Sequence, residues 1–197
     1  MIITDIARSA SHHLTKLGSK KLSEFIESHG PIEISDRYSD DKLIGLARIV
    51  IGQQLSNQAA KAIWNRLYQR FSTRHDLITA LQDHETSNTG LSNAKKRSLS
   101  EILTRGDDWI NAIAAEDESQ RQKQLLAIWG LGPWSVAMWE LFVLKNPDVW
   151  SNGDLILNRI SANLALDLNI NQSEFVASAA PFRSYLALYC WKLNDSQ

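Results

Sequence analysis

An all-α fold is what this sequence predicts, and three observations carry the expectation. Apolar residues recur at spacings of three and four along most of the chain, and no stretch alternates apolar with polar residues as a half-buried strand would. Capping residues stand ahead of the apolar runs, with Gly or Pro after several of them. With 197 residues, 44% hydrophobic and only four prolines, the chain can bury a real core, as one domain or as two lobes sharing helices.

Taken in order, residues 3–29 read as one or two helices with Leu22, Phe25 and Ile26 on one face and Gly30-Pro31 as the stop. Ser39 is placed to cap a helix over 40–53, whose stripe is Leu43, Leu46, Ala47, Val50 and Ile51. After a break at Gln53-Gln54-Leu55, Ser56 caps a strongly amphipathic helix carrying Ala60, Ile63, Trp64, Leu67, Tyr68 and Phe71. Thr73 caps a shorter helix ending near Leu81, and 82–90 is polar and loop-like. Ser92 caps the next helix, Gly106 ends it, and Asp107 or Asp108 starts a short one through Ala115. Two helices over 118–129 and 133–145 flank Gly130-Leu131-Gly132, and Asn146-Pro147 breaks the chain. A loop through Trp150 leads to Asp154 and a helix bearing Ile156, Ile160 and Leu164, followed by helices over 173–179 and 181–193. The count is roughly ten helices.

A formal charge of −1 announces no overall positive field, so any grip on nucleic acid has to come from a local basic face or from backbone amides. The single cysteine, Cys190, rules out an intrachain disulfide and a cysteine-ligated iron–sulfur cluster, and suits a reducing cytoplasm. The N-terminus lacks the apolar core of a signal peptide, and no run approaches membrane-spanning length. The five histidines form no metal-ligand constellation, no His/Ser pairing suggests a hydrolase triad, and there is no P-loop or dinucleotide fingerprint. Tryptophan is over-supplied: of seven, four fall between Trp129 and Trp150.

Chemistry concentrates between Leu125 and Asp154. Glycines two apart let a helix stop, turn and restart through left-handed backbone angles, and Pro133 suits the first turn of the second helix. Backbone N–H groups at such a helix start favour a phosphate. Asp154 has two compatible readings, an N-cap or an anion beside a developing positive charge, because the helix dipole holds such a carboxylate ionised.

The combination resembles the helix-hairpin-helix DNA glycosylases. Gly130-Leu131-Gly132-Pro133-Trp134-Ser135 followed by Asp148-Val149-Trp150 and Gly153-Asp154 is similar to their hairpin and downstream aspartate. Ile49 to Ser56 (IVIGQQLS) resembles the segment that enters the DNA opposite an extruded base. Gly90 to Lys95 (GLSNAK) resembles the helix start before the hairpin, and Pro181 to Trp191 (PFRSYLALYCW) the closing helix of the 3-methyladenine glycosylase II branch. The four motifs occur in family order over residues 43–193.

The resemblance implies a two-lobed helical bundle, one lobe over 40–128 and the other joining 1–39 to 133–197, with the hairpin and Asp154 facing the cleft. It implies a monofunctional glycosylase that flips an alkylated purine from double-stranded DNA and hydrolyses its bond to the sugar, with Asp154 stabilising the cationic sugar. Relatives with lyase activity place a lysine two residues after the second hairpin glycine. Trp134 stands there instead and cannot form a Schiff base. Trp134 and Trp191 would line the base pocket, with Met138 and Ile156 as apolar walls; the alternative for all four is core packing. DNA would be held by N–H groups near Gly130, Gly132 and Trp134, with Gln54, or Leu55, as the wedge. A monovalent cation under the hairpin would take the carbonyls of Leu126, Ile128 and Leu131, and no other cofactor is required. Two departures from the family pattern are Gln54, where leucine is familiar, and Trp129, where proline is usual. Lys95, Lys96 and Arg97 read as a solvated helix face, with phosphate contact as the alternative. The expected protein is a monomer of the cytoplasm, nucleoid-associated if bacterial. A non-catalytic helix-hairpin-helix DNA-binding module, a glycosylase with lyase activity and a purely structural helical domain are the rival readings.

Overall fold

The computed structural model describes residues 3–35, 37–39, 41–71, 73–82, 86 and 88–196, and every described element of regular structure is an α-helix. The order is α1 (Asp5–Thr15), α2 (Lys20–His29), α3 (Lys42–Gly52), α4 (Asn57–Arg70), α5 (Arg74–Gln82), α6 (Asn93–Ala115), α7 (Glu118–Leu126), α8 (Pro133–Phe142), α9 (Leu155–Leu166), α10 (Gln172–Ser178) and α11 (Arg183–Asp195). The chain divides into two compact units, Met1–Ser35 with Glu140–Gln197, and Asp36–Trp139. Compared with the partition expected from sequence, 36–39 and 133–139 group with the central stretch, and the boundary falls inside α8.

In the unit formed by the two ends of the chain, α11 is the central element. Every side chain from Ser184 to Cys190 is buried, which is how a helix surrounded by neighbours reads. The helices α1, α2, α9 and α10 pack against it. Leu14, Leu22, Phe175 and Leu186 fill the space between, and each such side chain contributes about 1.5–3 kcal/mol by leaving water. The buried phenol of Tyr189 is satisfied by donating to Gly30 O at 3.0 Å, and it lies 3.2 Å from Ser11 Oγ.

In the other unit α3 takes that place, burying Leu43, Leu46, Ala47, Ile49, Val50 and Ile51 against α4 and α6. Trp139 is fully buried, and its indole N–H donates to Lys42 O at 2.9 Å. The expected caps at Ser56 and Ser92 accept from Ala59 N and Lys95 N. Thr73 exchanges backbone and side-chain bonds with Asp76, both at 3.1 Å.

Several expectations need correction. The cap of α3 is Asp41, whose Oδ1 accepts from Leu43 N and Ile44 N; an ionised acceptor outcompetes the Ser39 hydroxyl, which binds Asp41 N instead. The amphipathic stripe of α4 buries only Ile63 and Leu67; Tyr68 is 68% exposed and Trp64 is half-covered, because α3 packs along one side of the helix only. Helices α7 and α8 stop at Leu126 and Phe142, short of the expected 129 and 145. Helix α10 covers Gln172–Ser178, one residue ahead of the expected 173–179, because Asn171 caps it through a capping box with Glu174. The expected break at Gly106 (φ 81°) and the helical stretch from there through Ala115 are both present, as a kink within α6. Within the 82–90 loop, Asp83, His84, Glu85 and Ser87 lie outside the described residues.

Candidate active site and DNA interface

Asp154 stands at the N-terminus of α9, its backbone extended (φ −84°, ψ 115°) and its Oδ1 accepting from Ile156 N and Leu157 N at 3.0 Å each. What delivers it there is a loop clamped by the start of α11. Arg183 makes a two-pronged ion pair with Asp148, Nε to Oδ1 at 2.7 Å and Nη2 to Oδ2 at 2.8 Å, and its backbone N–H adds a third bond at 3.1 Å. Planar, bidentate pairs of this kind fix orientation as well as charge. The bonds from Arg183 hold the Asp148 carboxyl below the usual carboxylate range. The buried Ser184 hydroxyl donates to Asn146 O at 2.7 Å and accepts from Val149 N at 2.9 Å, while Ser184 N–H donates to Pro147 O. A turn bond from Asp154 N to Ser151 O completes the approach.

Trp191 sits on the same helix as that clamp, half-buried and stacked on Phe142 at 5.9 Å between ring centroids. Its neighbour Cys190 is wholly buried; burial, and after it the negative charge of Asp154, push its thiol far above the ordinary range. Ile156 is half-buried and Leu155 almost fully exposed. The structure therefore gathers Asp154, Ile156 and Trp191 within one unit.

The hairpin, Met138 and the 53–56 turn belong to the other unit. Gly130 has φ 84°, and a Cβ there would run into Ser98 Oγ, so the fold needs glycine twice over at this position. Gly132 is different: its φ is not positive, and a Cβ would meet nothing within 4 Å. The expectation that both glycines serve the turn is thus corrected; Gly130 makes it, and Gly132 begins α8, its carbonyl accepting from Val136 N at 3.2 Å. Gln54 is exposed at φ 58° between α3 and α4, and Leu55 beside it is 40% exposed, so both candidate wedge residues stand at the tip of this turn. Trp134 is half-buried, whereas Met138 is buried. Ile128 O accepts from Leu131 N at 3.1 Å.

Lys95 departs from the solvated face and the phosphate contact alike. Its ammonium donates to Ile51 O at 2.7 Å and Gln53 O at 2.8 Å, and its burial lowers its pKa. Arg97 lies over the indole of Trp129, 4.4 Å from the ring centroid. Lys145, the lysine nearest downstream of the hairpin, donates to Ser35 O at 2.9 Å. Sequence reasoning missed the Asp148–Arg183 clamp, Gln53 and Ser98. None has a local signature, since their partners lie 35, 77 and 31 residues away. Among the described residues no helix is long and apolar enough to cross a membrane, and no group of three acidic, histidine or cysteine side chains is placed to hold a metal.

No family model matches the chain. The chain is 26% identical over 211 residues to the DNA-3-methyladenine glycosylase 1 of Schizosaccharomyces pombe, covering 98% of this chain and 90% of that protein. It is 27% identical over 158 residues to the probable bifunctional transcriptional activator/DNA repair enzyme AlkA of Mycobacterium tuberculosis; the match takes in 73% of this chain but spans only 32% of that relative's length. Among solved structures, the S. pombe 3-methyladenine DNA glycosylase in complex with abasic DNA superposes with a TM-score of 0.72 at 24% identity, over 95% of this chain and 97% of that one. The 3-methyladenine DNA-glycosylase of Archaeoglobus fulgidus gives 0.76 at 18% identity, over 96% and 70%. These neighbours share the all-helical fold, and the S. pombe relative is by name a DNA-3-methyladenine glycosylase.

Proposed function

We propose that the protein is a monofunctional DNA glycosylase, acting as a monomer in the cytoplasm, that hydrolyses the N-glycosidic bond of alkylated purines of the 3-methyladenine and 7-methylguanine type in double-stranded DNA. The observation that carries this reading is Asp154, a carboxylate held rigidly at a helix start, in a chain related from end to end to a protein named for that activity.

In the proposed reaction the bond from the sugar C1′ to the purine nitrogen breaks, and its electron pair neutralises the cationic base, which leaves. The sugar becomes oxocarbenium-like, as in glycoside hydrolysis. The Asp154 carboxylate stabilises that cation and takes a proton from the water whose oxygen bonds to C1′, leaving an abasic site. Preorganised charge of this kind supplies several kcal/mol in a site from which water is excluded. The indole faces of Trp134 and Trp191 attract the cationic ring before it departs, and Ile156 adds apolar wall, while Met138, buried, serves as core packing. Trp134 offers no amine, so water is the nucleophile and strand cleavage does not accompany base release.

The N-terminus of α8 grips phosphate, a role supported by the space left open at Gly132. Gln54, or Leu55 beside it, fills the gap left by the flipped nucleotide. The carbonyls of Leu126, Ile128 and Leu131 are hard oxygen donors of the kind an alkali cation accepts, and Ile128 O, engaged by one N–H, retains a second lone pair. A cation there would supply positive charge beneath the DNA backbone.

The test is a base-release assay on duplex DNA methylated in vitro, with released bases separated by chromatography. Release of 3-methyladenine or 7-methylguanine without strand nicking is the expected result. Equal release with and without protein sinks the enzymatic reading, and trapping of a covalent protein–DNA complex by borohydride sinks the hydrolytic one.

A further inference from the structure

We infer that Gln53 is a positioning residue that joins the turn entering the base stack to the hairpin gripping the backbone, so that the two engage DNA as one device. The inference rests on the glycosylase reading above, but its geometry belongs wholly to one unit of the chain.

The side-chain amide nitrogen of Gln53 donates to Gly130 O at 2.9 Å and to Ser135 Oγ at 2.8 Å. A backbone carbonyl only accepts, so the nitrogen and not the oxygen must face Gly130, and both amide hydrogens find an acceptor. Those acceptors lie on the two sides of the hairpin, one in the turn and one in the first turn of α8. The backbone of Gln53 is tied independently: its carbonyl accepts from Lys95 Nζ, which also takes Ile51 O at the end of α3, and its N–H donates to Val50 O at 3.3 Å. Leu55 N–H returns to Gly52 O at 3.2 Å, so the turn bearing Gln54 is closed on itself as well.

One turn of α6 supports both ends of this connection. Three residues beyond Lys95, and so on the same helix face, Ser98 donates to Trp129 O at 3.1 Å and packs against Gly130. The exposed, left-handed Gln54 therefore projects from a turn anchored to α6 by Lys95 and to the hairpin by Gln53. A side chain pushed between bases is effective only if the flanking phosphates cannot recoil. Gln53 supplies that constraint: insertion at Gln54 and phosphate grip at Gly132 become mechanically coupled.

A merely structural tie would cost stability and leave insertion and grip independent, and the experiment separates the two. Gln53→Met keeps volume and removes both donors. It is compared with Gln54→Ala and the double variant in thermal unfolding, in affinity for a duplex carrying a tetrahydrofuran abasic analogue, in 2-aminopurine fluorescence at the target site, and in single-turnover release of 7-methylguanine. Coupling predicts about a tenfold loss of abasic-duplex affinity and release for Gln53→Met, the scale of a lost polar tie, with the unfolding midpoint nearly unmoved. It also predicts that Gln54→Ala costs far less in the Gln53→Met background than alone. Additive losses, no loss, or a loss that tracks the unfolding midpoint overturn the inference. Should Gln53→Met fail to fold, Ser135→Ala, which removes one of the two acceptors, is put through the same cycle with the same criterion. Affinity and fluorescence need no bond cleavage. If the wild-type protein releases no base, the glycosylase reading fails while coupling is still decided.

Discussion

Two helix starts in this molecule solve the same electrostatic problem in opposite ways. Each lies at the end of a helix dipole that carries about half a positive charge. At α9 the chain supplies its own anion, the Asp154 carboxylate, whose Oδ1 takes both Ile156 N and Leu157 N. At α8 the corresponding position is Gly132, with no side chain and open space where one would be. The contrast teaches that a start carrying its own carboxylate holds a charge in place for use on something else, whereas one preceded by glycine leaves open the space a capping side chain would fill.

The largest effect that would sharpen this comparison is at Asp154. Asn caps a helix about as well as Asp, so Asp154→Asn should leave the unfolding midpoint and DNA affinity nearly unchanged while single-turnover base release falls by about 10³-fold or more. Near wild-type release by that variant would reduce Asp154 to a cap. Next comes Gly130→Ala, which combines a left-handed backbone with a collision at Ser98; a loss of about 2–3 kcal/mol, or about 5–10 °C, is expected in thermal unfolding. Gly132→Ala should do the reverse: unfolding moves by only a few degrees, since alanine is a poor N-cap, while affinity for undamaged duplex drops about tenfold and its salt dependence flattens. Equal behaviour of the two glycine variants would break the distinction between them.

The smallest effect concerns the clamp behind Asp154. The Asp148 carboxyl is held below its unfolded value by Arg183. Its stabilising contribution is therefore fully present above about pH 4, the ordinary aspartate value, and is lost as pH falls through the lower, folded one. Asp148→Asn should be less stable than wild type by about 1 kcal/mol at neutral pH, and the two should converge in acid, as followed by urea unfolding across pH. A constant offset at every pH would show that the pair contributes shape and not charge.

What the sequence reveals follows the range of the forces involved. Ser56, Thr73 and Ser92 act within three residues of themselves, and each caps the helix it was expected to cap. Periodicity located every helix of the candidate site, and the Gly130 turn was legible because a positive φ leaves its mark in residue type. Trp64 and Tyr68 misled because periodicity shows which residues share a face, not how much of that face a neighbour covers. Lys95, Ser98 and Gln53 were opaque for a different reason: each binds a backbone carbonyl brought near by tertiary folding, and a carbonyl is the same at every position in a sequence.

Cys190 has a consequence for survival in the chemistry the protein is proposed to repair. Methylating agents that damage purines also attack thiolates, and a protein working where such agents accumulate is itself a target. The only cysteine in the chain is fully enclosed in α11, and enclosure together with the nearby Asp154 charge keeps its sulfur protonated. A protonated, inaccessible thiol is a poor nucleophile. The folded protein should resist iodoacetamide and consume one equivalent on unfolding, immune through its own packing to the insult it is proposed to correct in DNA.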